Sequence, residues 1–406
     1  KRRAVVHSED FTEAVAAACA KFGSQRVFIV VSRSLKAAHP TAVTRLVDRL
    51  NAAGHAVVAV YDKVLPHTPG SCLEAALGLV SQTNPDLFVA LGGGSVVDAV
   101  RALRCSQIFD AKTVAEMGAV ADKTVPWSKH LTDYYVDDLN LPAFPSRFVC
   151  VVTTPSGSDF SMGGGFMDED TSVKKQFYHP GGYADVVVLD KHLMLLTPQS
   201  VWLEVGVRPV LPGVCALISN YSTHYIRRRA QAGLSDLIEA LTACKQDGGD
   251  ANARELAAVG TWQCVDAVVM AKGGGLPYAL SHIIGSKTGM GHGATTGVTL
   301  AAYLHWCEQD LPNAASREAF ATLRAAFGAS RGSSHTALRS FFHNVGMPLT
   351  LAEAGVAEQF SEDVKQYMAD TVFAMPIVQM GIEPRPVRST QDVRDILELA
   401  INGAHT

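Results

Sequence analysis

The chain of 406 residues is 48% hydrophobic and 18% charged, long enough for two domains and able to bury large cores. Its net charge is −4, with basic runs only at Lys1-Arg2-Arg3 and Arg227-Arg228-Arg229, which argues against nucleic acid as a partner. No apolar run of membrane-spanning length and no signal peptide is read, so no membrane partner is expected. The eight cysteines are scattered without a CxxC pair, as reduced thiols of a cytoplasmic protein would be.

In chain order, the spacing predicts a helix over Phe11 to Lys21 and a strand over Arg26 to Val31, ending at Ser32-Arg33. A helix over Thr41 to Ala53, a strand over Ala56 to Tyr61, a loop at Pro66 to Gly70 and a helix over Ser71 to Gln82 follow. Leu87 to Leu91 is a continuous apolar run, as expected of a strand buried on both faces. Gly92-Gly93-Gly94 comes next, and Ser95 opens an amphipathic segment to Leu103. Strand, glycine turn and helix N-terminus together make an anion site, because glycine admits a phosphate close to the backbone and the first helical N–H groups point at it. The spacing is not G-x-G-x-x-G, and a plain tight turn would use the same glycines. Residues 110–145 read as irregular. Another buried strand, Arg147 to Val152, runs into Thr153-Thr154-Pro155-Ser156-Gly157-Ser158. Short strands are expected to Asp190, Asp185 to Leu189 being the clearest, and from about Thr197 the pattern is helical to the end. The expected organisation is an α/β dinucleotide-binding domain with a parallel sheet over residues 1–194, then an all-helical substrate and catalytic domain over residues 195–406.

This order resembles the iron-containing alcohol dehydrogenase family, within the dehydroquinate-synthase-like superfamily. Gly92-Gly93-Gly94-Ser95-Val96-Val97-Asp98 matches its GGGSxxD. Thr153 to Ser161 resembles TTxSGSExT, the short form found in maleylacetate reductases, the subgroup this chain most resembles. Val186 to Asp190 with Leu196-Thr197-Pro198, the pieces Ser281-His282-Ile283-Ile284-Gly285 and Gly291-His292-Gly293, Gly346 to Leu351, and Glu383-Pro384-Arg385-Pro386 match further landmarks in the right order. The resemblance implies a dinucleotide on Gly93, Gly94 and Ser95, with Thr153 and Thr154 along its middle and Asp98 and Ser158 in the same two motifs. Lys174, six residues before Pro180, stands where the family's cofactor-contacting lysine stands; a solvated lysine is the alternative. Members that prefer NAD often carry an acid at the position of Ser32. Its replacement by Ser32-Arg33 implies NADP, with NAD still admissible, because arginine pairs with a 2′-phosphate and a carboxylate repels it.

The same resemblance exposes a departure. The family's metal ligands are an Asp and a His four apart on one helix, then two further His. Here those positions hold Arg208, Pro212, Tyr278 and His292. A divalent catalytic ion needs about three protein ligands, so no metal is expected. Maleylacetate reductases, which reduce the carbon–carbon double bond of a dicarboxylic keto acid, also lack the Asp but keep the histidines that Pro212 and Tyr278 replace here. The remaining candidates are Arg208, Tyr278, His282 and His292. Arg208 could supply fixed positive charge or pair with Glu204 on a helix surface. Tyr278 could donate a proton or pack in a rebuilt core. The histidines suit acid–base work near neutral pH. The expected activity is a metal-independent NAD(P)H-dependent reductase, a homodimer, acting on a small keto or unsaturated acid. The alternatives are a non-redox lyase, isomerase or cyclase on the same scaffold, and a binding protein.

Overall fold

The computed structural model describes residues 4–120, 142–170 and 173–403. Its contacts divide the chain into two compact units, Lys1–Thr197 and Pro198–Thr406.

The first unit carries six parallel strands in the order β1-β8-β5-β4-β2-β3. They are β1 (Ala4–His7), β2 (Arg26–Val31), β3 (Ala56–Tyr61), β4 (Leu87–Gly92), β5 (Arg147–Val152) and β8 (Val186–Leu189). β6 (Gly163–Asp168) and β7 (Val173–Tyr178) form a separate antiparallel hairpin. One face of the sheet packs Val27, Ile29, Val89 and Val151 against Val15 and Cys19 of α1 (Phe11–Phe22) and Leu46 and Leu50 of α3 (Pro40–Ala52). The alternate residues Phe28, Phe88 and Phe148 are fully buried on the other face. Burial on both faces is why these strands read as unbroken apolar runs. Between them run α2 (Arg33–Ala38), α4 (Glu74–Thr83), α5 (Gly94–Phe109) and α6 (Val114–Val120), and α7 (Lys191–Met194) follows β8.

Several boundaries differ from those expected. β1 was not anticipated; it is a four-residue strand held to β8 at the sheet edge. β2 stops at Val31 as expected, but Ser32-Arg33 goes straight into an unexpected helix: Ser32 caps α2 by accepting from the Leu35 amide and Arg33 begins it. The expected helix over 71–82 begins as a 3-10 turn, Gly70–Cys72, and becomes α-helical at Glu74. Within the stretch read as irregular, Val114–Val120 is helical, and residues 121–141 lie outside the described part.

The second unit opens with α8 (Gln199–Gly206), α9 (Val210–Ile218), α10 (His224–Gln246), α11 (Ala251–Met270), α12 (Gly275–Thr288) and α13 (His292–Glu308), and continues in helices through Thr390–Asn402. α10 and α11 approach closely where both lack side chains: a Cβ on Gly260 would stand 2.9 Å from the Gly233 carbonyl. The reading that no apolar run reaches membrane-spanning length is corrected here. Gln199–Ile218 reaches it, with mean hydropathy 1.6, but 78% of that window is buried among its neighbours, as a core helix requires. The helix breaks at residues 207–209, where Pro209 has no N–H to continue it. Pro212 does not break α9, because it occupies the first turn, where an N–H would have no helical acceptor.

Candidate functional site

In the first unit, the chain leaves β2 for β3 on one side and returns to β4 on the other side of β2. That reversal makes a crevice at the carboxyl ends of β2 and β4, where open parallel sheets bind their ligands. Ser32 and Gly92-Gly93-Gly94 stand there. The Ser32 amide donates to the Leu91 carbonyl at 3.1 Å, so the two strand ends are joined. Gly93 caps α5 with extended backbone that any residue could adopt, so its requirement is for space. A Cβ on Gly93 would lie 3.0 Å from Thr154 Oγ1, and one on Gly94 would lie 3.0 Å from Ser158 Oγ and 3.3 Å from Ser156 Oγ. The loop after β5 is thus the wall of a hydroxyl-lined cradle at a helix N-terminus. Thr154 Oγ1 is buried with no partner among the described residues. Thr153 is also buried, and its carbonyl accepts from Thr197 Oγ1 at 2.7 Å. Ser95 is tied to the preceding loop: its Oγ accepts from the His67 amide at 3.1 Å, and its carbonyl from Thr68 Oγ1 at 3.0 Å.

Behind the cradle lies a charge network that the sequence reading only half found. Lys174 on β7 pairs with Asp98 on α5 at 3.1 Å, so Lys174 is anchored beside the glycine turn instead of being freely solvated. Arg101, 1% exposed, pairs with Asp98 at 3.5 Å. It also donates to the carbonyls of Ser158 (2.5 Å), Ser161 (2.6 Å), Gly163 (2.9 Å) and Gly182 (3.0 Å). Arg104, fully buried, donates to the Gly181 and Ser146 carbonyls at 3.0 and 2.8 Å and stacks on Phe144 at 4.0 Å. Burial lowers its guanidinium to about 10. One helix therefore presents glycines to the cradle at its start and two buried arginines to the loops that wall it. Arg101 and Arg104 were missed. Their signal was two arginines three apart within the apolar run after the glycine turn.

The residues of the second unit converge in part. Tyr278 and His282 are four apart on α12 and share a face. His292 is the first residue of α13, and its ring meets that of His282 edge-on with centroids 6.5 Å apart. The Tyr278 ring lies directly on Gly274, where a Cβ would fall 1.7 Å from Cδ2. Glu204, at the end of α8, sets its carboxylate on Gly291 just before His292: a Cβ there would meet Oε1 at 1.8 Å. Arg208 falls in the turn between α8 and α9, one helical turn beyond Glu204.

Glu383 was read only as a family landmark, yet it supports this cluster. It is 3% exposed, and its Oε1 accepts from the Leu276 amide in the first turn of α12 at 2.8 Å. Gly275, at φ +56°, lets the carboxylate in, since a Cβ would stand 2.3 Å from Oε1. Burial raises this carboxyl to about 7.

A parallel sheet with a glycine cradle at its reversal point, followed by a helical unit, is the architecture of the dehydroquinate-synthase-like enzymes. Residues 3–191 match the iron-containing alcohol dehydrogenase model and residues 214–401 match the C-terminal model of the same family. The chain belongs to the iron-containing alcohol dehydrogenase family and is an oxidoreductase. It is 30% identical over 304 residues to dehydrogenase FUM7 of Gibberella moniliformis, covering 71% of this chain and 68% of that one. It is 26% identical over 351 residues to a maleylacetate reductase of Rhizobium sp. (strain MTP-10005), covering 86% and 84% of the two chains. The solved sulfoacetaldehyde reductase of Bifidobacterium kashiwanohense, in complex with NAD+, superposes with a TM-score of 0.81 over 99% of this chain and 98% of its own. At 14% identity that likeness concerns the fold alone.

The two groups this family implies fit differently. The cradle suits a dinucleotide: its glycines admit a backbone approach that a Cβ would block, and hydroxyls surround it. By the resemblance the iron positions fall on Arg208, Pro212, Tyr278 and His292, a set that does not suit a divalent ion. They hold a guanidinium, a proline ring without a donor atom, a phenol and one imidazole. Among the described residues, no group of three or more His, Cys, Asp or Glu is placed to share an ion.

Proposed function

We propose that the protein is a metal-independent NAD(P)H-dependent reductase of a small keto or unsaturated acid. The carrying observation is a glycine cradle at the sheet's reversal point in a chain that has Arg208, Pro212 and Tyr278 where the resemblance puts three of the family's metal ligands. In this reading Gly93, Gly94 and Ser95 hold the pyrophosphate, Thr153, Thr154 and Ser158 flank it, and the Asp98–Lys174 pair borders it. Arg33, exposed at the start of α2, is available to a ribose 2′-phosphate, and Ser32 puts no negative charge there, so NADP is favoured over NAD. The dinucleotide, when bound, supplies a hydride. The chain's own residues do the rest. Arg208 provides fixed positive charge for a substrate carboxylate or a developing oxyanion, the place a metal would otherwise take. Tyr278, His282 or His292 delivers the proton that completes reduction.

The eight cysteines, all buried and scattered without a CxxC pair, support a reducing, cytoplasmic location. A homodimer belongs to the same reading and is tested by sedimentation. The replaced ligand set also suits a non-redox lyase, isomerase or cyclase on this scaffold. The discriminating experiment is a screen of keto and enoyl acids with NADPH. Stoichiometric NADPH oxidation with a reduced product supports the reductase. Product formation without dinucleotide turnover supports the alternative and refutes the reductase.

A further inference from the structure

Asp159 has no role in the account so far. It sits in the middle of the 3-10 turn Ser158–Phe160, one residue beyond the hydroxyl that faces Gly94, and is 1% exposed. Its Oδ2 is approached by Ser156 Oγ at 3.5 Å, and its Oδ1 is buried with no partner among the described residues. Arg101 passes close by and bonds the carbonyls of Ser158 and Ser161 on either side of it. Among the described residues the hydrogen bonds of that guanidinium go to backbone carbonyls, so its charge favours an ionised carboxylate without giving it a hydrogen bond. Burial, the largest cause, and the neighbouring Asp98 both favour the uncharged acid, which is raised to about 6.

The charged groups around this carboxyl are Asp98 and Arg101 on α5 and, through Asp98, Lys174 on β7. With Asp159 neutral, the two cations outnumber Asp98 by one, and the cradle has a net positive backing suited to a pyrophosphate. With Asp159 ionised the set sums to zero, and an unpaired carboxylate lies behind the phosphate in a poorly solvating interior. The wall would also shift, because Ser156 contacts both Asp159 and the space over Gly94.

We propose that Asp159 is a positioning residue of the dinucleotide cradle that acts through Ser156 and Ser158, and that the cradle binds its ligand with Asp159 protonated. Binding then takes up a proton wherever free Asp159 is ionised. This rests on the glycine turn being the dinucleotide site.

The test is calorimetric titration of the purified full chain with NAD+ from pH 5.5 to 7.5. NAD+ is chosen because its pyrophosphate does not titrate there, whereas the 2′-phosphate of NADP does. Wild-type affinity is expected to fall by up to about tenfold per pH unit above the free-state value. Binding heats in two buffers of different ionisation enthalpy should report proton uptake, a reading that needs no variant. Asp159→Asn should bind at every pH as wild type does at the lowest, with no fall. A wild type that binds NAD+ with flat pH dependence, or an Asp159→Asn protein that keeps the wild-type fall, overturns the inference and leaves the cradle assignment standing. If wild type binds neither NAD+ nor NADP+, or Gly94→Val binds NAD+ as well as wild type does, the cradle assignment fails and the inference falls with it.

Discussion

Arg101 ties α5 to the loops that wall the cradle, so removing its charged head should be costly. Arg101→Met keeps most of the buried stem and deletes the guanidinium. Four carbonyls, of Ser158, Ser161, Gly163 and Gly182, then lose a charged donor. Each such loss costs about 1–3 kcal/mol where the group stays buried. Asp98 loses one partner but keeps Lys174. Against this, the variant no longer buries a guanidinium, a gain that offsets part of the sum. The net expectation is a loss of about 3–5 kcal/mol, a large share of the stability of an ordinary domain. Urea unfolding followed by circular dichroism and by intrinsic fluorescence would measure it, the two probes also showing whether the units unfold together. Dinucleotide affinity should fall in the same variant under conditions where it remains folded, because residues 158–163 lose their anchor. A variant within about 1 kcal/mol of wild type would show that the bonds drawn from Arg101 do not hold this wall in solution.

Glu383→Gln should stabilise the protein at alkaline pH. Its folded-state value of about 7 lies above the ordinary 4.5, so the stabilisation from its proton is complete below pH 4.5 and is lost as pH rises through 7. The variant's advantage should grow across that window to about 3 kcal/mol, and a pH-independent difference in unfolding free energy would refute the assignment. Arg33→Ala should weaken NADPH binding and leave NADH nearly unchanged in nicotinamide fluorescence titrations; equal losses would remove the 2′-phosphate contact. Arg208→Ala should cut turnover on the true substrate by roughly 100-fold with dinucleotide affinity preserved, and Arg208→Lys should recover only part of it. Unchanged turnover in Arg208→Ala would mean that this charge takes no part in the chemistry.

The buried strands were readable because parallel strands covered on both faces leave unbroken apolar runs, as in Leu87 to Leu91. β1 escaped because four residues at a sheet edge carry little pattern. Pro209 ends the preceding helix whereas Pro212 is accommodated, since proline interrupts a helix only past its first turn and Pro212 lies within that turn of α9. The cradle was legible from its glycines, but its support was not. Arg101, Asp159 and Glu383 are charged residues that sequence patterns assign to surfaces, and their burial becomes visible only when distant loops and helix ends supply their partners. Lys174 shows the same limit from the other side: a lysine that sequence leaves solvated is anchored once the β6–β7 hairpin brings it to Asp98. The meeting of His282 with His292 was suggested by the landmark spacing, whereas the Glu204 carboxylate on Gly291 had no signature beyond the glycine itself.

The central claim is reduction by NAD(P)H without a catalytic metal. Its most direct measurement is elemental analysis of untagged protein alongside nicotinamide absorbance during turnover, before and after exhaustive chelation and after adding back ferrous or zinc ions. The account predicts substoichiometric metal and a rate unchanged by chelation or metal addition. Near-stoichiometric iron or zinc that leaves together with activity, and restores it on return, would contradict it.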